Sequence, residues 1–183
     1  MTTQDLKKAL AFLKAGKVVV FPTDTVYGLL ADATSKKAVE RTFVIKRRQK
    51  TKPLPLFVDT IRMAKQVAAI SKPQERFLRS RWPGAFTAVL KRKKSSPILY
   101  GIDAGTVALR IPNLSQLRSL VRLLGKPIIA TSANLSGKNP CSTIREVRKQ
   151  LGARPDLFVD GGTLHSRPSR ILDMTTKPYR TLR

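Results

Sequence analysis

Lys17-Val18-Val19-Val20-Phe21 runs into Pro22-Thr23-Asp24-Thr25-Val26-Tyr27-Gly28, and the reading of that junction decides the fold. KVVVF is a β-branched run without a polar break, the pattern of a strand buried on both faces. PTDTVYG combines proline, threonines, aspartate and glycine and reads as a loop. Upstream, residues 5–15 carry Leu6, Leu10 and Leu13 at helical spacing, and Gly16 can close that helix.

Downstream the same alternation continues. Ser35 can cap a helix over residues 36–47. LPLFV at 54–58 is a short strand, which Pro55 would demote toward a sheet edge. Residues 61–70 read as a helix. Ser71 with Gln74 makes a capping-box pattern for another, up to about Arg81. Trp82-Pro83-Gly84 is a turn. Residues 86–91 and 107–111 alternate as strands. Residues 116–124 are helical, ended by Gly125, and residues 127–131 form an apolar strand. Thr143 with Glu146 caps a helix to Leu151, and residues 157–159, 170–174 and 179–182 are short strand candidates. Helices and strands mix throughout, so the class is α/β with a mixed sheet.

The chain has 183 residues, with 36 Lys and Arg against 11 Asp and Glu, a net charge of +25, and a pI near 11.3. Such a field draws polyanions. Hydrophobic residues make up 42%, which suits one domain over 1–183 and excludes a disordered chain. Cys141 is the only cysteine, so no internal disulfide forms. Cys141 and His165 together cannot build a zinc site. The first residues, broken by Lys7, Lys8 and Lys14, are no signal peptide, and no apolar run approaches the ~20 residues of a membrane span. The expectation is a cytoplasmic protein with no membrane partner.

The chemistry narrows by exclusion. No carboxylate pair stands out, and neither GxxxxGK[ST] nor GxGxxG occurs. His165, in GGTLHSRPS, reads as a solvated loop residue, and Cys141 as a structural thiol. What remains is a set of strand-end loops bearing hydroxyls, amides and cations. They are PTDTVYG, the run from Lys46 to Leu54, RWPG with Thr87, the run from Thr106 to Pro112, and TSANLSG at 131–137. Fixed cations, hydroxyls and backbone N–H groups are what a polyphosphate needs. Transfer at phosphorus runs on positioning and electrostatics with little acid–base help. Taken singly, each loop also fits ordinary turn and helix capping.

Taken in order, PTDTVYG, Ala31-Asp32-Ala33, Lys46-x-Arg48 with Pro53-Leu54, RWPG with Thr87, Thr106-x-x-x-Arg110-x-Pro112, and ATSANLSG at 130–137 resemble the motif series of the YrdC-domain proteins, the threonylcarbamoyl-AMP synthases. The match runs from the first strand to Arg183, without the family's optional C-terminal domain. The resemblance implies a single-domain YrdC-like twisted open mixed sheet with helices and a positively charged concave face. It implies a nucleotidyltransferase that makes threonylcarbamoyl-AMP and pyrophosphate from L-threonine, bicarbonate or CO2, and ATP. Partner proteins of tRNA modification then pass the group to an adenosine beside the anticodon.

Carried over by position, the resemblance implies that Lys46 and Arg48 are catalytic, the pair holding phosphates and the carboxylated substrate. Thr25, Arg110 and Ser169 would contact L-threonine, with Arg110 at its carboxylate. Arg48, Lys52, Thr106, Ser132, Asn134 and Arg183 would contact ATP. Mg2+ would arrive with ATP, held by phosphates and water, so no metal ligand is expected of the chain. Phe57 stands where many relatives have His, and Lys52 where a polar amide is usual.

The basic residues exceed what ATP requires. Arg47, Lys50, Lys91 to Lys94, Arg145, Arg148 and Lys149 are expected to contact tRNA or double-stranded RNA through its backbone. Two other readings stand beside the synthase. One is a non-catalytic RNA-binding YrdC-like protein of tRNA or ribosome maturation. The other is a carbamoyltransferase component, which in the family occurs fused to other domains. Lys46, Arg48, Ser132 and Asn134, all present, favour the enzyme.

Overall fold

KVVVF supplies β1 (Val19–Phe21), every residue of it buried. The PTDTVYG loop turns the chain back into β2 (Gly28–Asp32), which pairs antiparallel with β1. The remaining elements, in chain order, are α2 (Lys36–Lys46), β3 (Leu56–Phe57), α3 (Ile61–Val67), α4 (Lys72–Arg79), β4 (Phe86–Lys91), β5 (Thr106–Arg110), α5 (Ser115–Leu124), β6 (Ile128–Ser132), α6 (Ile144–Leu151), β7 (Leu157–Phe158), β8 (Arg170–Asp173) and β9 (Arg180–Thr181), with α1 (Thr3–Lys14) preceding β1. This computed structural model describes residues 2–182.

The described strands form one mixed sheet in the order β7-β1-β2-β6-β3-β5-β4-β8-β9. Its pairs β1–β7, β3–β5 and β4–β8 are parallel and the rest antiparallel. Side chains alternate between its faces. Val19, Phe21, Leu30, Ile128 and Ala130 meet Leu13 of α1 and Leu117, Leu120 and Val121 of α5 on one face. Val20, Leu29, Ile129, Ala88, Leu90, Val107 and Leu109 pack on the other, with Phe43 of α2, Val67 of α3, Leu78 of α4 and Val147 of α6. Each large side chain buried this way contributes about 1.5–3 kcal/mol.

The two faces are covered unequally. The cluster built on α1 and α5 includes residues of β1, β2, β3 and β6 but none of β4, β5 or β8. Over that second half of the sheet one face lacks a helix. The site lies there.

Helix ends follow the expected signals. Ser35, Ser71 and Thr143 cap α2, α4 and α6, the last two through full capping boxes. Gly125 closes α5 in the left-handed region at φ 73. One expectation fails, and one strand carries no signal in the sequence. Pro55 does not place its strand at an edge, because β3 lies between β6 and β5 near the middle of the sheet. Pro55 precedes the paired residues and supplies only its carbonyl, which accepts from Ala130 N at 3.0 Å; the missing N–H is therefore never needed. GLLAD was not expected as a strand, yet β2 is fully buried and paired on both sides. Its Leu, Ala and Asp have little intrinsic strand preference, and the neighbours on either side override that.

Candidate active site

A cavity of about 330 Å³ opens over the uncovered half of the sheet. Thr87 and Val89 of β4, Ala108 and Arg110 of β5, and Ile171 of β8 line it. These are the strand positions that alternate with the core residues Ala88, Leu90, Val107 and Leu109. Further wall comes from Thr23 and Thr25 of the β1–β2 loop, Arg48 and Pro53 after α2, Phe57 of β3, Ser132 at the end of β6, and Ser169.

Arg110 is only 4% exposed. Its Nε donates to Gly84 O at 2.9 Å and its Nη1 to Thr25 Oγ1 at 3.2 Å. Its Nη2 lies 2.7 Å from Asp24 Oδ1. The guanidinium also sits 5.6 Å from the centre of the Phe57 ring. A planar fork held at several points is the geometry that receives a carboxylate.

The β1–β2 loop holds itself rigid. Thr23 Oγ1 donates to Val26 O at 2.7 Å, accepts from Thr25 N at 3.0 Å and lies 2.9 Å from Thr25 Oγ1. Tyr27 Oη donates to Gly162 O at 2.7 Å and accepts from Gly161 N at 2.9 Å. That joins the loop to the segment leading to Ser169. A Cβ on Gly161 would stand 2.6 Å from Pro22 Cβ, so the close approach requires glycine. Across the cavity Thr87 Oγ1 and Ser169 Oγ are 2.9 Å apart and buried.

The cations after α2 divide in two. Arg47 caps the helix in the left-handed region at φ 49. That turn separates Lys46, directed inward, from Arg48, directed at the cavity. Arg48 lines the wall, and its Nε and Nη2 donate to the carbonyls of Lys52 and Pro53 at 2.9 and 3.0 Å. Burial lowers its guanidinium pKa from the usual value. Lys46 is 2% exposed and does not line the cavity. Its Nζ donates to the carbonyls of Ser132 and Asn134. Burial pushes its amine down to about 7, the Arg48 charge adds to the push, and Cys141 opposes it. The two carbonyl acceptors favour the ammonium form.

The expected residues therefore fall into groups. Thr25, Arg48, Arg110, Ser132 and Ser169 all line one cavity. Lys46 and Asn134 stand behind its wall. The Asn134 Nδ2 donates to the carbonyls of Leu135 and Lys138, both at 2.7 Å, and so shapes the loop. Thr106 does not line the cavity: it sits at the far end of β5, and its Oγ1 donates to Asp103 Oδ1 at 3.2 Å. Lys52 is exposed, and its contacts are made by its backbone: its carbonyl accepts from Arg48 and its N–H donates to Gln49 O at 3.1 Å. Arg183 lies outside the described residues. Asp24, Thr23 and Phe57 were not assigned roles from sequence. The signal for Asp24 was an acid inside a loop of a strongly basic chain. Cys141 is buried, and burial followed by the Glu146 charge raises its thiol to about 11, which leaves it unreactive at neutral pH. Among the described residues no group of three or more His, Cys, Asp or Glu is arranged to hold a metal. No helix among them is long and apolar enough to cross a membrane.

Residues 11–183 match the family model Sua5/YciO/YrdC, described as telomere recombination. The threonylcarbamoyl-AMP synthase of Photorhabdus laumondii is 35% identical over 174 residues, covering 93% of this chain and 92% of that protein. That of Pseudoalteromonas translucida is 36% identical over 179 residues, covering 94% and 95%. Among solved structures, P. abyssi Sua5 complexed with L-threonine superposes with a TM-score of 0.88 at 34% identity, over 97% of this chain and 53% of that one. E. coli YciO gives a TM-score of 0.88 at 25% identity, over 100% and 89%. This chain spans about half of the P. abyssi protein and nearly all of the bacterial ones. With the motif series, the sheet and the cavity in agreement, the chain belongs to the Sua5/YciO/YrdC family.

Proposed function

We infer that the protein is a threonylcarbamoyl-AMP synthase. The observation that carries this reading is the cavity itself, which brings Arg110, Thr25, Thr87 and Ser169 together with Arg48 and Ser132 on one bare sheet face. The first four suit an amino acid with a hydroxyl: a fork for its carboxylate and a hydroxyl pair for its side chain. Arg48 and the end of β6 suit a phosphate chain. The relatives' name and the threonine bound to P. abyssi Sua5 support the same assignment.

The reaction is nucleotidyl transfer. The threonine amine adds to CO2 derived from bicarbonate and loses a proton, giving a carbamate. A carbamate oxygen then attacks the α-phosphorus of ATP and pyrophosphate leaves. Arg48 stabilises charge on the phosphates. Lys46 acts one layer back, fixing the backbone of Ser132 and Asn134 against which the nucleotide would rest. Thr106, on the same sheet face as Ala108 and Arg110, and the exposed Lys52 lie beyond the cavity wall, and we assign them to the outer part of a bound ATP. The donors along the cavity are hydroxyls, carbonyls and cations with no carboxylate cage. That fits Mg2+ carried in by ATP on its own phosphates and water.

The surplus cations, Lys91 to Lys94 among them, are assigned to a tRNA backbone, in a cytoplasmic pathway with tRNA-modification proteins as partners. Removing those four charges should flatten the salt dependence of RNA binding; an unchanged slope would contradict the assignment. For the reaction, the test is 13C-bicarbonate with ATP and L-threonine, read by mass spectrometry. The label should appear in an adenylate containing threonine. Its absence, with tight RNA binding retained, would favour the non-catalytic RNA-binding reading.

A further inference from the structure

Asp24 does not line the cavity, yet it pairs with Arg110, which does. Its Oδ1 lies 2.7 Å from Arg110 Nη2, with side-chain exposures of 12% and 4%. Its Oδ2 accepts from Asn113 N at 2.7 Å, three residues beyond Arg110 on the way into α5. One carboxylate thus ties the β1–β2 loop to the guanidinium and to the backbone that follows it. Gly84 O and Thr25 Oγ1 fix the other two nitrogens of Arg110, and Phe57 lies beside the guanidinium.

An acid beside an anion site is a paradox unless it does something the anion needs. A buried guanidinium must be paired, and an arginine that can rotate loses the planar match to a carboxylate. An unpaired Arg110 would attract a carboxylate more strongly by charge alone but would not present a fixed fork. Asp24 opposes the incoming carboxylate by Coulomb repulsion and favours it by orientation. These two effects have opposite signs, so experiment separates them.

We propose that Asp24 is a positioning residue for amino-acid recognition, acting through Arg110 to set the fork that receives the substrate's α-carboxylate. This rests on the cavity taking L-threonine. Orientation outweighs repulsion because the carboxylate's two oxygens must both be met, and a misplaced fork meets only one.

The test is calorimetric titration of the full chain with L-threonine and with L-threoninamide, which lacks the carboxylate, together with KM values for threonine and ATP. Asp24→Asn keeps the size of the side chain and its acceptor for Asn113 but removes the charge that holds Nη2. Its affinity for L-threonine should fall roughly tenfold, the loss of one charge-assisted contact. Its preference for threonine over threoninamide should shrink, and KM for ATP should stay level. Asp24→Glu, with the charge restored at a displaced position, should recover part of the affinity, and it serves as the readout if Asp24→Asn does not fold. Equal or tighter threonine binding by Asp24→Asn, or a parallel rise of both KM values, overturns the proposal. If the wild-type chain takes no threonine, the substrate reading falls first, and this proposal with it.

Discussion

Lys46 Nζ donates to the Asn134 carbonyl at 2.8 Å from inside the protein. A lysine that the motif marks as a phosphate contact is therefore occupied with the backbone of the loop beyond β6. Lys46 holds that position as the last residue of α2, and Arg47 then leaves the helix in the left-handed conformation, so that Arg48 lines the cavity instead.

The pH dependence follows from that burial. The folded protein releases the Lys46 proton near pH 7, whereas the unfolded chain keeps it to about pH 10.4. Between these values the unfolded chain binds more protons, so this residue makes stability rise with pH. Lys46→Met should lack that rise. Urea unfolding between pH 7 and 8.5, where any Cys141 contribution is common to both proteins, should show wild type gaining on the variant by at most about 1.4 kcal/mol per pH unit. Parallel profiles would mean that the amine stays charged.

Thr87 and Ser169 predict a selectivity change. Thr87→Val keeps the shape and removes the hydroxyl 2.9 Å from Ser169 Oγ. KM for L-threonine should rise roughly tenfold with KM for ATP unchanged, as expected for loss of one buried hydrogen-bond partner. Steady-state kinetics with each substrate varied in turn decides it; equal rises in both constants would instead indicate a general disturbance of the cavity.

Tyr27 predicts a stability change. Its Oη accepts from Gly161 N and donates to Gly162 O, while its ring is fully buried. Tyr27→Phe should lower unfolding free energy by about 1–3 kcal/mol, read as a lower urea midpoint with the same slope.

Arg47 predicts a gain. It is exposed and the only described non-glycine residue at positive φ. Arg47→Gly relieves the left-handed strain, partly offset by a more flexible unfolded chain, for a net gain of about 0.5–1 kcal/mol. Thermal unfolding checks it; a loss would show that the Arg47 side chain contributes more than its backbone costs.

Most elements were legible because their signals are local. The capping boxes at Ser71 and Thr143 and the glycine after α5 depend on neighbours a few residues away. β2 and the central place of β3 were not, since both depend on which strands lie beside them. The site divides in the same way. Arg110, Thr25 and Ser169 meet in one cavity, as the motif series implies. That Lys46 and Arg48 face different ways depends on where α2 ends and on the Arg47 turn, and that Thr106 lies outside the cavity wall depends on the length of β5, which a motif cannot convey. Asp24 was in plain view within PTDTVYG, but its partner is 86 positions along the chain at Arg110.

The most direct test of the central claim is pyrophosphate release from ATP by the purified protein, with L-threonine and bicarbonate supplied separately and together, beside an Arg48→Ala variant. The account predicts release only when both co-substrates are present, and a fall of roughly a hundredfold in the variant. Release independent of threonine, or none with all three substrates present, would contradict it.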